Sequence, residues 1–263
     1  MSALKRIKIG MALLVASLTF SSPVCAAIIY DFDIRVNFDG GLTASQQSIF
    51  SQAELFWETL IIGYRDEYAG PGLDISASGP AIDGPGGILG QAGPTFGIFL
   101  PTYVYATAGI MQFDAADLLN LEAQGSLLDV IIHEMAHVIG FGTLWSAPFN
   151  DVLDVNGNYV GAYGLAAYQL SNPGATFVPV EQGGGPGTAG GHWDETDGGG
   201  DPEIMTGWLD FPSSISLTTI NSFADLGYVI NPDYAVNINQ VPAPSALALL
   251  LLGLFGLRKK LRN

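Results

Sequence analysis

The chain is 263 residues long, with a formal net charge of −16, 48% hydrophobic residues and a single cysteine, which is room for one large domain or two small ones with a real apolar core. Seven of its nine basic residues lie in the two terminal segments (Lys5, Arg6, Lys8, Arg258, Lys259, Lys260 and Arg262), so Arg35 and Arg65 alone face all 25 acidic residues in between, a net of −23. A body so acidic repels nucleic-acid phosphates and anionic membrane surfaces, which excludes nucleic acid as a partner and suits solubility or cation binding outside the cell.

Residues 1–26 have the three parts of a secretory signal: a basic start at Lys5, Arg6 and Lys8, an apolar run over 9–20, and Val-Cys-Ala before a cut after Ala26. The apolar run is short of a full membrane span, which favours a cleaved signal over an anchor. Ser22, Pro23 and Val24 precede Cys25, and they do not fit a lipoprotein site. Once the signal is removed no cysteine remains, so neither a disulfide nor a thiolate cap on a metal is expected.

Alternation over 28–38 predicts a strand, ended by Asp39-Gly40-Gly41. Ile49, Ala53, Phe56, Trp57, Leu60 and Ile61 are spaced for a helix over 43–62, with Thr43 or Ser45 as its N-cap. A second strand is expected over 73–77, and the Gly/Pro-rich stretch 78–94 predicts a loop. Residues 102–113, TYVYATAGIMQF, predict a strand. It is either an interior strand or an exposed edge able to pair with an extended peptide. A short helix is expected over 114–122, and Gly125 breaks the chain.

Residues 127–142, LLDVIIHEMAHVIGFG, carry the chemistry. His133 and His137 stand four apart in an apolar segment of helical pattern, so both imidazoles leave one face one turn apart, a two-toothed clamp for zinc. Glu134 sits beside the first, within reach of a water on the same metal, where a hydrolytic site needs its general base. The chain's third and last histidine is His192. Two ligands on one helix and one distant leave the fourth tetrahedral position to water, as catalytic zinc sites require. Ser126 with Asp129 predicts a capping box at the helix start, and Gly140 a turn at its end.

Residues 142–191 read as a long excursion of low regularity, with a hairpin turn at Asn156-Gly157 and a glycine-rich loop over 183–191. Asp151, Asp154, Asn156 and Asn158 could chelate calcium, but the glycine is misplaced for an EF-hand and no glutamate closes the loop, so a solvated turn is the better reading. Asp194, Glu195, Asp197 and Asp201 raise the same question with the same answer. Spacing at Leu217, Ile220, Phe223 and Leu226 predicts a last helix over 216–226.

Residues 241–263, VPAPSALALLLLGLFGLRKKLRN, place a Pro-rich turn before an apolar run and a basic tip. The tail resembles the PEP-CTERM sorting segments of Gram-negative bacteria, with Pro242-Ala243-Pro244 where Pro-Glu-Pro is typical. That resemblance implies transient insertion in the inner membrane, cutting by an exosortase-type enzyme, and delivery to the cell surface or extracellular matrix. The alternative is a plain C-terminal anchor, for which about a dozen apolar residues is short.

Gly140 extends the histidine motif to HExxHxxG, and Glu203-Ile204-Met205-Thr206-Gly207 puts Met205 thirteen residues after His192. This order matches the metzincin layout. The compact metzincins would place the third histidine at 143, where this chain has Thr143. With a long insertion before Gly191-His192-Trp193, it resembles leishmanolysin-type metallopeptidases over roughly residues 100–230, less sharply at Asp225-Leu226-Gly227-Tyr228.

The resemblance implies an α+β metzincin-like zincin: a twisted mixed sheet, an active-site helix, and a C-terminal helix after a Met-turn at Met205. The expected organisation is a signal peptide over 1–26 and a catalytic domain over 27–240, split into subdomains 27–140 and 141–240, then the sorting segment. The implied activity is zinc-dependent cleavage of a protein or peptide substrate, with His133, His137 and His192 as ligands and Glu134 as base. Gly207 stands where some metzincins have a tyrosine, so no tyrosine switch is expected. A non-catalytic adhesion protein on the same scaffold is the alternative, against which the intact Glu134 stands. Residues 28–38 read as part of the fold, so no pro-domain is expected.

Overall fold

The computed structural model describes residues 31–65, 68, 70–195, 202–208 and 210–237; the expected signal segment 1–26, the expected sorting segment 241–263, Asp197 and Asp201 lie outside them. The strands β1 (Ile34–Phe38) and β3 (Leu73–Ser78) pair side by side in parallel, and β3 buries alternate residues, Leu73, Ile75 and Ala77. The helix α1 (Ala44–Leu60) connects them. Thr43 caps it: its hydroxyl accepts from Gln46 N at 3.2 Å while the Gln46 side chain takes Thr43 N–H at 2.9 Å, satisfying two donors that a helix start leaves free. The helix passes without a loop into β2 (Ile61–Tyr64), which pairs antiparallel with β6 (Tyr228–Ile230).

The main sheet has the order β1-β3-β5-β4, with β5 (Val104–Phe113) parallel to β3 and antiparallel to β4 (Gly90–Phe99). One expectation is corrected here: the last five residues of the Gly/Pro-rich stretch 78–94, Gly90 to Pro94, are not loop but belong to β4. Of the two readings of residues 102–113 the interior strand is the one found, and the edges of the sheet are β1 and β4. Proline lacks the N–H that a central strand must donate but is tolerated on an edge, and the ladder shifts register between Pro94 and Gly97 to accommodate it.

After β5 come α2 (Leu118–Gln124), α3 (Leu127–Ile139), α4 (Ala162–Gln169) and α5 (Leu217–Asp225), so the described residues form a mixed α+β fold with a twisted mixed sheet and five helices. The helix α4 falls in the excursion expected to be irregular; it starts at Gly161 with no side-chain cap, which leaves little to read in the sequence. One core runs from Phe32 to Ile230. Trp57 of α1 is fully buried at its centre, and its indole N–H donates to Ile132 O of α3 at 3.1 Å. Among the described residues no helix is long and apolar enough to cross a membrane.

The capping box expected at Ser126 and Asp129 does not form. Only Gly125 and Ser126 separate α2 from α3, so Ser126 is already helical (φ −93°, ψ −7°) and its N–H bonds back to Leu121 O at 3.0 Å. Asp129 instead accepts the Ser213 hydroxyl at 2.6 Å, tying the first turn of α3 to the segment before α5. The far end of α3 stops as expected at Gly140 (φ 136°). Thr143 and Tyr228 cap it by donating to His137 O at 2.7 Å and Ile139 O at 2.9 Å.

Candidate metal centre

His133 and His137 leave α3 on one face, and His192 comes to meet them from the loop before Trp193. The three Nε2 atoms stand 3.0–3.1 Å apart. These are the three residues that the sequence nominated, and they lie close enough together to bind a metal ion. Each ring is held through its other nitrogen: His133 Nδ1 donates to Ile204 O at 2.6 Å, His137 Nδ1 to Phe141 O at 2.9 Å and His192 Nδ1 to Thr188 O at 2.9 Å. A carbonyl only accepts, so the proton of each ring sits on Nδ1 and each Nε2 is bare.

Burial keeps the rings neutral. It pushes His133 down to about 3, with His192 adding to the effect. It also holds His137 well below, and His192 below, the ordinary histidine range. Three bare lone pairs so close repel one another unless a cation lies among them. The close approach of the Nε2 atoms is therefore not hydrogen bonding but a convergent donor set that could hold a metal ion.

Glu134, one residue after the first ligand, is 7% exposed. Burial pushes its carboxyl up to about 8. A cation at the histidines would pull it back toward ionisation. Its carboxylate lies against Gly90, the first residue of the edge strand: a Cβ there would stand 2.9 Å from Glu134 Oε1.

His192 is delivered by features that sequence reasoning missed. Gly142 (φ 70°) packs directly on the backbone of Gly191, where a Cβ would stand 2.7 Å from Gly191 Cα. The excursion thus leaves the end of α3 and returns to the same point, one residue before the ligand. Trp193 then locks the strand. Its backbone N–H donates to Met205 O at 3.0 Å, its indole N–H to Thr219 Oγ1 at 2.8 Å, and its ring stacks edge-on against Phe141 and Tyr159. Met205 is fully buried in the same core.

Glu203 is the second missed residue. Its carboxylate accepts Ser216 N at 2.8 Å, Thr219 Oγ1 at 2.8 Å and Met205 N at 3.3 Å. It joins the N-terminus of α5 to the turn whose Ile204 carbonyl aims His133, and through Thr219 to Trp193 beside His192. Burial holds its carboxyl above the usual range. Glu203→Gln, which puts an amide N–H₂ against one of these donors, is expected to weaken metal binding by about 10–100-fold, as loss of an outer support does. Competition with a chromophoric chelator measures it; an unchanged dissociation constant would show that Glu203 serves the fold alone.

The other acidic residues weighed as calcium ligands do not gather. Asp154 turns its carboxylate on its own loop, accepting Asn156 N at 2.8 Å and Asn158 N at 2.9 Å. Those bonds hold it below the ordinary carboxylate range. Asp194 lies beside Glu181, and burial together with that neighbour pushes it up. Glu195 accepts Trp208 N at 3.1 Å. No family profile matches this chain, and no curated protein matches it in sequence.

Proposed function

We propose that this chain is a secreted zinc-dependent endopeptidase of the leishmanolysin-like metzincin kind. The observation that carries it is the set of three proton-free Nε2 atoms within 3.1 Å of one another, with a glutamate from the same helix turn beside them. The set fits zinc. Nitrogens so spaced lie about 1.8 Å from the centre of their triangle, close to the ~2.0–2.1 Å of a zinc–imidazole bond, so His133, His137 and His192 could hold such an ion together with small adjustment. Neutral imidazoles without thiolates and without a fourth side chain suit a catalytic site better than a closed structural one.

Bound there, zinc would supply Lewis acidity toward a peptide carbonyl and an acidified water. The protein does the rest. Glu134 would serve as the general base, its carboxylate taking a proton from the attacking water and giving it to the leaving amine. The carbonyls of Ile204, Phe141 and Thr188 keep the imidazoles aimed through the cycle. The free edge of β4 offers backbone N–H and C=O groups to an extended peptide beside Glu134. Pro94 and the irregular pairing after it confine that regular edge to residues 90–93.

Export through residues 1–26 and sorting through 241–263, with transient membrane insertion and an exosortase-type enzyme as processing partner, complete the proposal. A metal analysis paired with a casein digest tests it. One zinc per chain is expected, with cleavage abolished by 1,10-phenanthroline and restored by added zinc. A folded, zinc-loaded chain that cuts neither casein nor a peptide library would leave a non-catalytic scaffold; cleavage indifferent to the chelator would remove the zinc mechanism.

A further inference from the structure

Between β3 and the edge strand the chain makes a loop, Ala81-Ile82-Asp83-Gly84-Pro85-Gly86-Gly87-Ile88, held from below by two aspartates that follow β5. Asp114, with no accessible surface, spends both oxygens on the loop and on its own turn: Ala116 N at 2.9 Å on one, Asp83 N and Gly84 N at 2.8 Å on the other. Those N–H bonds, led by Ala116, hold it down to about 2. Asp83 turns inward as well, accepting Ile88 N at 3.2 Å.

Asp117 is different. It is 6% exposed, its Oδ1 accepts Gly86 N at 2.8 Å, and its Oδ2 is buried with no partner among the described residues. A buried carboxylate oxygen without a donor is costly and rare. Among the described residues neither basic side chain relieves it: Arg35 is paired with Asp33 and Asp74, and Arg65 donates to Tyr163 and Tyr228. The carbonyl oxygens of residues 81–88 accept no hydrogen bond among the described residues.

We propose that Asp117 and this loop form a second cation site, for a hard divalent ion of the calcium class. The three carboxylates do not close on one point as the histidines do, so Asp117 Oδ2 is the charged ligand and peptide oxygens of the loop complete the shell. Oxygen-only ligands on a glycine-rich loop, several of them carbonyls, suit calcium's larger and more adaptable coordination; magnesium demands a tighter octahedron and keeps its waters. A cation rather than a water fits the charge, because Asp83 of the loop and Asp114 and Asp117 beneath it bring three carboxylates together with no basic side chain in either segment. Its consequence reaches the cleft. The loop runs through Leu89, whose carbonyl accepts Asp114 N at 3.1 Å, into Gly90 against Glu134, so filling the site would order the segment that presents the edge strand.

The full secreted chain, freed of loose ions on a chelating resin and given back one equivalent of zinc, tests this by titration calorimetry with CaCl₂ and, separately, MgCl₂. Hydrogen–deuterium exchange is run on the same samples. One saturable calcium site is expected, with new protection over residues 81–90 and none over 151–158, and Asp117→Asn should weaken it by about tenfold or more. Absence of saturable calcium binding, protection confined to another region, or a D117N protein that binds calcium as the parent does would each overturn the site. Equal affinity for magnesium would overturn its assignment to calcium. Should D117N fail to fold, the exchange map of the unaltered chain decides.

Discussion

Glu134→Gln is expected to lower kcat for peptide cleavage by about 10²–10⁴-fold while the chain still folds and still binds one zinc. Gln has the shape of Glu, so the space against Gly90, where a Cβ would be only 2.9 Å from the carboxylate, accepts either side chain. What is lost is the lone pair that takes the proton. Stability should not fall, because no basic residue is paired with Glu134 and burial of its carboxylate is already unfavourable, as the rise to about 8 records. The ligands should be untouched, since each imidazole is aimed by a backbone carbonyl and not by Glu134. Active-site titration, metal content and thermal unfolding on one preparation separate these effects. Undiminished cleavage by E134Q would sink Glu134 as the base, and loss of zinc would make it a support for the site instead.

The histidine cluster was legible because it is written in local spacing and in scarcity. His133 and His137 are four apart on an apolar helix, and only one other histidine exists to complete the set. Helices α1, α3 and α5 follow from the same periodicity. What stayed hidden is fixed by partners distant in sequence. The edge strand β4 was masked by Gly90, Gly93 and Pro94, residues that read as loop but are tolerated where a strand has only one neighbour. The three-residue strand β6 exists because β2 is there to pair with it. Ser126 and Asp129 have the right letters for a capping box, but a two-residue connection took Ser126 into the helix and Ser213 took Asp129. Glu203 was visible only as part of a turn, with no sign that α5 and Trp193 converge on it.

The least legible of these contacts is also the one whose loss should cost the site most. Gly142 and Gly191 are far apart in sequence, yet their backbones touch, and the contact fixes where His192 enters. Gly142→Ala meets two obstacles. An alanine at φ 70° is strained by about 1–2 kcal/mol. Its Cβ also meets Gly191 O and Cα, backbone atoms that have no rotamer to change. The loop must therefore retreat from α3, taking with it His192 and the Thr188 carbonyl that holds its ring. Zinc affinity should fall by roughly 10²-fold, the upper range for a displaced outer support, and activity with it. Gly125→Ala is the control for strain: it has nearly the same φ, 76°, with nothing within 4 Å of its Cβ position, and it precedes the first turn of α3, at the end of the helix opposite Gly142. It should lose stability through strain alone and keep its zinc affinity. If both variants bind zinc as the parent does, the Gly142–Gly191 contact does not set the third ligand; if only G142A loses zinc, the fifty-residue excursion is held to the metal centre at that one crossing.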